Sequence, residues 1–269
     1  MLAAKEASPA ELIASYNRMA QGLKSLNATV ELKPTAGSAY SGVIEEYHQV
    51  KGFILAQRPA MIRVIGQAPV VGTNVFDMTS DGQTFRIYIP SKHEFIVGPA
   101  RLERPAKKPI ENLRPQHLLD TLFWPEIGPG QTVLFEEFNE QAARYYILTL
   151  LGDGQPAEIA RRIWFDRANL QVARLEIFGS GGTLLADIVY RDWREQAPAK
   201  AAEQPGEAGP AIPFPREIVL TRPHDDYTLD IRVTKLQINA PIEAGRFQLE
   251  QPPGANLVNL GKEGEGAGP

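Results

Sequence analysis

Four histidines, His48, His93, His117 and His224, have the widest chemical range of any side chains in this chain of 269 residues, and their spacing assembles nothing from them. None stands in the His-x-His or His-Glu-x-x-His spacing that turns two imidazoles onto one metal, so each reads as a surface residue or a strand-end hydrogen bonder. There is no cysteine, which removes disulfides, thiolate zinc sites and a thiol nucleophile together. Gly179-Ser-Gly-Gly182 lacks the Gly-x-Ser-x-Gly elbow of a serine hydrolase and reads as a hairpin turn, as does Asp225-Asp226. No phosphate-cradling glycine loop or dinucleotide fingerprint occurs, and no carboxylate pair stands apart from the many Asp and Glu residues. The residues therefore point to a protein that is not an enzyme and needs neither metal nor cofactor.

What does stand out is carbon where water is expected. Arg63-Val-Ile-Gly-Gln-Ala-Pro-Val-Val-Gly72 reads as a strand running into a loop, and Asp77-Met-Thr-Ser-Asp-Gly82 leads through a turn into Phe85-Arg-Ile-Tyr-Ile-Pro90. Asp81-Gly82 supplies the positive φ that a tight antiparallel connection wants. The preceding connection offers water only Ala68, Pro69, Val70 and Val71 between Gly66 and Gly72, which suits an apolar partner. Val70 and Val71 have two readings, contact with a membrane or acyl chain, or an ordinary pair packed in the core.

Composition narrows the classes. Apolar residues make up 43% and charged residues 22%, with a net charge of −4, the balance of an ordinary globular protein rather than of a nucleic-acid binder. The densest basic clusters, Arg101 to Lys108 and Arg161-Arg162, read as solvated edges. No run of about 18 apolar residues offers a membrane span. Met1-Leu-Ala-Ala-Lys5 lacks the charged and apolar regions of a secretory signal.

The elements that must position any site follow from periodicity. Ser8-Pro-Ala-Glu11 is a capping box with proline at the first helical position, and Leu12, Ile13, Tyr16, Met19, Ala20 and Leu23 follow at helical spacing to about Asn27. From Ala28 the period becomes two, which predicts strands near 28–33, 40–48, 51–57, 60–67, 73–79, 84–90 and 93–98. A proline-rich passage from Pro99 to Pro109 leads to a short helix over 114–124, with Leu118, Leu119, Leu122 and Phe123 clustered and Pro125 as its stop. Strands resume near 132–138, 143–151, 157–166, 171–178, 184–194, 214–221, 226–238 and 246–250. Residues 197–211 are too poor in apolar side chains to offset their ordering entropy and read as a mobile insertion; 261–269 read as a disordered tail, leaving one domain over 8–260. Two helices and many strands predict a mainly antiparallel α+β fold, with a strongly curved sheet wrapped around the helices and an apolar hollow where they do not fill it.

This order of elements resembles the LolA/LolB superfamily of periplasmic lipoprotein carriers and outer-membrane lipoprotein receptors, as a divergent branch. The similarity is carried by Pro59-Ala-Met-Ile-Arg63, Ser80-Asp-Gly82 leading to Tyr88 and Pro90, Ile163-Trp-Phe-Asp166, Asn239-Ala-Pro-Ile242, Phe247-Gln-Leu249 and Pro252-Pro-Gly254, over about 8–260. The resemblance implies a half-open β-barrel, helices as a lid and an interior that accepts acyl chains. It also implies a place in the periplasm or lipid-anchored on the periplasmic side of the outer membrane. In the receptor branch an apolar loop helps insert lipid into the membrane, and Pro69, Val70 and Val71 occupy that place. Arg63 matches the arginine that in the carrier branch is linked to lid closure, with Leu118, Leu119 and Leu122 on the lid; its alternative is a strand-edge arginine in water.

The expected cavity lining is Phe53, Leu55, Ile65, Phe76, Phe85, Ile87 and Phe95 from the first half. Leu148, Ile163, Phe165, Ile177 and Ile188 complete it from the second half, all being core residues of which part touches the ligand. The expected function is non-enzymatic binding and transport of lipid or lipoprotein acyl chains in the bacterial envelope by a monomer, with peripheral membrane contact. The alternative is an envelope sensor or scaffold using the same groove for a peptide or lipoprotein tail.

Overall fold

The computed structural model describes residues 3–37, 45–46, 48–100, 114–140, 143–199 and 209–260. Most of the strand expected at 40–48, most of the proline-rich passage before the second helix, the centre of the insertion at 197–211 and the tail after 260 lie outside the described residues.

Helix α1 spans Pro9–Gly22 and starts as its residues dictate: the Ser8 hydroxyl accepts from the Glu11 amide at 3.3 Å, and the Glu11 carboxylate accepts from the Ser8 amide at 2.8 Å. Its buried face is Leu12, Tyr16, Met19 and Ala20. Helix α2, Pro115–Leu122, is buried almost all round, so it is a plug in the core rather than a surface helix.

The strands are β1 (Ser25–Ala36), β2 (Glu45–Glu46), β3 (Val50–Gln57), β4 (Met61–Gln67), β5 (Asn74–Ser80), β6 (Thr84–Ile89), β7 (Glu94–Pro99), β8 (Val133–Asn139), β9 (Arg144–Leu151), β10 (Ile159–Asp166), β11 (Val172–Phe178), β12 (Leu184–Gln196), β13 (Ile212–Arg222), β14 (Tyr227–Ile238) and β15 (Asn256–Asn259). They form one sheet in the order β15-β7-β6-β5-β4-β3-β1-β14-β13-β12-β11-β10-β9-β8, with β2 beside β1. The two ends of this order do not meet, so the curved sheet stays an open half-barrel. Every pairing is antiparallel except β15 with β7. The chain closes the sheet's middle by laying β1 against β14, Leu26 opposite Ile238 and Leu32 opposite Ile231.

Two sequence expectations change here. Residues 246–250 are not a strand: Ala244–Phe247 form a short 3-10 helix followed by extended chain, and the last strand is β15. Its four residues are too few to show a period, and their place comes from pairing alone. Strand β13 begins earlier than expected and takes in Pro213 and Pro215. Both face β12 only, because β14 pairs from Glu217 onward, so one side of the strand needs no amide there.

One face of the sheet, the inner one, holds a continuous core. Ile54, Ile62, Val64 and Met78 meet α2 through Leu118, Leu119 and Leu122, while Ile163, Leu175, Ile188, Phe214 and Leu220 continue it through the second half. Trp124, fully buried just after α2, packs against Tyr190, Trp193 and Phe214 with ring centroids 5.7–5.9 Å apart.

Candidate lipid cavity

The core is not filled everywhere. Between α2 and strands β5–β7, a cavity of about 400 Å³ is walled by Phe76, Met78, Phe85, Ile87 and Ile96 from the sheet, Leu118 from α2 and Leu32 and Leu229 from the central strands. Strand alternation places these residues on one face: Phe85, Ile87 and Ile89 of β6 all line it, and Arg86 and Tyr88 between them do not.

Two glycines shape its walls. A Cβ on Gly66 would stand 2.3 Å from the Phe76 ring, and one on Gly98 would stand 2.8 Å from the Phe85 ring. Each phenylalanine therefore lies flat across the bare backbone of a neighbouring strand, β4 under Phe76 and β7 under Phe85.

The cavity is polar only at its ends. Arg114, 2% exposed, caps α2 and lays its guanidinium over the Phe85 ring at 4.5 Å. Lys92, exposed, and Glu94, half-buried, stand at the other end beside Ile89. Phe76 is on that end too, and its partner Gly66 lies next to the rung Gln67–Asn74 from which the β4–β5 hairpin leaves the sheet. At the hairpin's tip Val70 is 95% exposed and Val71 71% exposed, with Pro69 exposed beside them. The packed-core reading of these valines is thereby excluded.

Of the residues expected to line a cavity, Phe76, Phe85 and Ile87 do, and Leu118 joins them from the lid. Phe53, Leu55, Ile65 and Phe95 do not, because they have the wrong parity. Phe53 pairs with Ile65, and Leu55 with Arg63, on the outer face that alternates with Ile54 and Val64. Phe95 faces outward with Met61, Thr79 and Phe247 around a separate hollow of about 600 Å³ on the other face. Leu148, Ile163 and Ile188 are closed within the core of the second half, and Ile177 packs half-buried against it. Phe165 lines a different feature, a shallow groove of about 740 Å³ along α1 whose rim carries Arg18, Gln21, Lys24 and Asn239. Leu119 and Leu122 hold α2 to the core without reaching the cavity.

Arg63 also differs from its expected role. It grips Asp77 through two bonds of 3.0 and 2.7 Å and donates to the carbonyls of Arg246 and Gln248, so it fastens the C-terminal segment to the outer face. The arginine that reaches helix carbonyls is Arg58. Its Nε donates to Leu23 O at 3.0 Å, and its Nη2 donates to Ala20 O at 3.1 Å and Trp124 O at 2.8 Å, joining the ends of both helices. Arg58 stands where β3 leaves the sheet, so its side chain is not held to either face, a freedom the period-two pattern conceals.

The structure also corrects His117. It is a half-buried residue of α2, with Nδ1 2.7 Å from the Tyr227 hydroxyl and the two rings stacked. Burial, with Arg222 and Arg114 nearby, holds its pKa well below the ordinary histidine value, so the ring is neutral. Among the described residues no group of three potential metal ligands converges, and no helix is long and apolar enough to cross a membrane.

Together these features define a class: an open antiparallel half-barrel with a helical plug over an apolar cavity. In structure the chain is similar to a DUF1329 family protein from Desulfovibrio piger, with a TM-score of 0.52 and 11% identity over 88% of this chain and 95% of that one. It is also similar to a LolA superfamily protein from Nitrosomonas europaea, with a TM-score of 0.49 and 12% identity over 91% and 99% of the two chains. No protein-family model and no curated protein matches it.

Proposed function

We propose that the protein binds an acyl chain in the cavity beneath α2 and acts as a non-enzymatic lipid carrier of the bacterial cell envelope. The observation that carries this reading is the apolar cavity of about 400 Å³ on the sheet's inner face, walled by phenylalanine, isoleucine and methionine side chains beneath α2. A hollow lined by phenylalanine, isoleucine and methionine gains on the order of 25 cal/mol for each Å² of hydrocarbon it withdraws from water. The hairpin tip at Pro69-Val70-Val71 lies at the same end of the sheet as Phe76, where it would touch a bilayer while the cavity takes up or gives up its chain. The resemblance of the sequence to the LolA/LolB carriers implies the same ligand class. Transfer requires only that the seated and displaced positions of α2 differ in affinity for the chain.

The test is native mass spectrometry of protein purified from a bacterial host, followed by organic extraction. A bound acyl lipid supports the reading. Protein that arrives empty and takes up no fluorescent fatty acid refutes it and leaves the peptide-binding scaffold.

A further inference from the structure

The outer face of the sheet is divided in two by its cross-strand rows. Arg191, Glu217, Arg232, Glu31 and Lys51 stand side by side across β12, β13, β14, β1 and β3, alternating in sign, and Arg232 reaches Glu217 at 3.1 Å. Such a row suits a face turned to water. Toward the other edge the next row is Phe53, Ile65, Asp77, Tyr88, Phe95 and Leu257, one each from β3, β4, β5, β6, β7 and β15. Its one charge, Asp77, is held by Arg63 at 2.7 Å. The outer face is thus charged over the middle of the sheet and apolar toward β15.

Only part of the apolar row is covered. The C-terminal segment, fastened by Arg63 through the carbonyls of Arg246 and Gln248, leaves Phe95 buried beside Phe247. Phe53, Ile65 and Tyr88 stay half-buried, and Leu257 is 50% exposed. Val75, 40% exposed where β5 begins, leads from this row to Val70 and Val71 at the hairpin tip. Lys51 stands over the Phe53 ring at 5.0 Å, and exposed Lys92 lies in the β6–β7 connection at the same end of the sheet as the hairpin.

The shape and chemistry of this surface select its occupant. The row crosses six neighbouring strands, about 24 Å at roughly 4.8 Å per spacing, and it is a sheet face, whereas an extended peptide pairs with a sheet edge. Every strand beneath it except β15 is paired on both sides, so the face offers side chains and not open amides to hydrocarbon. Aromatic and aliphatic groups beside lysines suit the boundary of a bilayer, where rings enter the acyl region and ammonium groups stay among phosphates. Resting on the reading that the hairpin touches a bilayer, we infer that the protein lies on a phospholipid surface by this outer face, the hairpin inserted and Phe53, Ile65, Tyr88 and Leu257 at headgroup level. The charged rows over β12, β13 and β14 then face water, and the Ile89 end of the cavity is held at the membrane.

Because the chain has no cysteine, single cysteines carrying a nitrobenzoxadiazole label test this orientation in the full chain. Val71→Cys marks the tip, Tyr88→Cys and Leu257→Cys the apolar face, and Glu217→Cys and Arg232→Cys the charged rows. Each is mixed with vesicles of phosphatidylethanolamine and phosphatidylglycerol, with and without a nitroxide on the acyl chains. Blue-shifted, nitroxide-quenched emission is expected at 71, 88 and 257 and not at 217 or 232, and Leu257→Glu is expected to lower vesicle partitioning about tenfold. Should Tyr88→Cys fail to fold, the exposed position 257 decides. A response at 71 alone overturns the inference and leaves the hairpin as the whole contact. Equal responses at 217, 232 and 257 overturn it as adsorption without orientation, and a dimer of the unlabelled protein that Leu257→Glu dissociates gives the face to a second copy and overturns it too. No response at any position overturns it and removes the membrane role of the hairpin, while acyl binding is decided separately by mass spectrometry of the protein without vesicles.

Discussion

Arg58 holds Trp124 by its backbone: Nη2 donates to the Trp124 carbonyl at 2.8 Å, and the same nitrogen donates to Ala20 O at 3.1 Å. One side chain at the end of β3 thus satisfies carbonyls left open at the C-terminal end of α1 and just after α2. The ring of Phe123 lies 5.1 Å from its guanidinium carbon and shields it. The two helices are therefore fastened to the sheet and to each other at one point.

Arg58→Ala is expected to lower unfolding free energy by about 2–4 kcal/mol, since charge-assisted bonds contribute more than neutral ones and their acceptors would be left half-buried. Arg58→Lys, with one nitrogen for three carbonyls, is expected to fall between. Urea denaturation gives the energies, and hydrogen exchange is expected to rise at the C-terminal turn of α1 and around α2. Unchanged exchange there would show that the packing of Leu118, Leu119 and Leu122, with the bonds from Tyr190 to Thr121 O and between His117 and Tyr227, seats the plug without Arg58.

Arg63 makes a separable prediction. Because its bonds run to Asp77, Arg246 O and Gln248 O on the outer face, Arg63→Ala is expected to cost about 1–3 kcal/mol and to loosen residues 244–251. Its effect on acyl affinity is expected to be small, less than threefold by probe displacement. A large loss of affinity would restore this residue to the role in lid closure that its sequence position implies.

The lid also carries a pH dependence through His117. Its folded pKa lies well below 6.5 because burial, Arg222 and Arg114 all disfavour the charged ring. The unfolded chain binds a proton near pH 6.5 and the folded one does not, so the stabilising term is complete above that pH and is lost as pH falls toward the folded value. The expected slope grows as pH falls below 6.5 and approaches about 1.4 kcal/mol per pH unit toward pH 5. His117→Gln is expected to flatten that part of a stability profile measured by denaturation between pH 7 and 5.

Much of the fold could be read from residue order, and the reasons for the misses are specific. The capping box at Ser8 and the Asp81-Gly82 turn are local devices, with Asp81 accepting from the Gln83 and Thr84 amides at 2.9 and 2.7 Å, so sequence alone shows them. Strand parity is a global property: Phe53 and Ile54 are equally apolar neighbours, and only the direction in which the sheet curves decides that Ile54 faces inward. Where both faces are covered, as at Leu55, buried on the outer face beside Arg63, alternation in composition disappears and the inner face cannot be chosen. One usable signal was present, the glycines Gly66 and Gly98 inside strands, each opposite an aromatic that needs the room. Nothing local distinguishes Arg58 from Arg63, since each lies near Pro59 and their partners are distant in the chain.

The apolar hairpin is expected to act on membranes without contributing to stability. Val70→Ser with Val71→Ser changes two exposed side chains, so unfolding free energy is expected to move by less than about 0.5 kcal/mol. If both valines enter a bilayer, each withholds about 1.5 kcal/mol of transfer energy when replaced, and vesicle partitioning is expected to fall roughly a hundredfold. Flotation with phospholipid vesicles measures this, and equal flotation of both proteins would leave the tip without a membrane role.

Face parity supplies the sharpest test of the cavity. Ile87 and Ile65 are isoleucines of similar burial on neighbouring parts of one sheet, but Ile87 lines the cavity and Ile65 pairs with Phe53 and Asp77 on the other face. Ile87→Trp adds bulk where about 400 Å³ stands open, so it is expected to be tolerated within about 1 kcal/mol and to exclude an acyl chain, lowering affinity tenfold or more. Ile65→Trp is expected to leave affinity within twofold. The chain can be inside only if the two substitutions differ: binding unchanged in both would mean that the cavity is not where acyl ligands go, and binding lost in both would point to a general disturbance of the sheet.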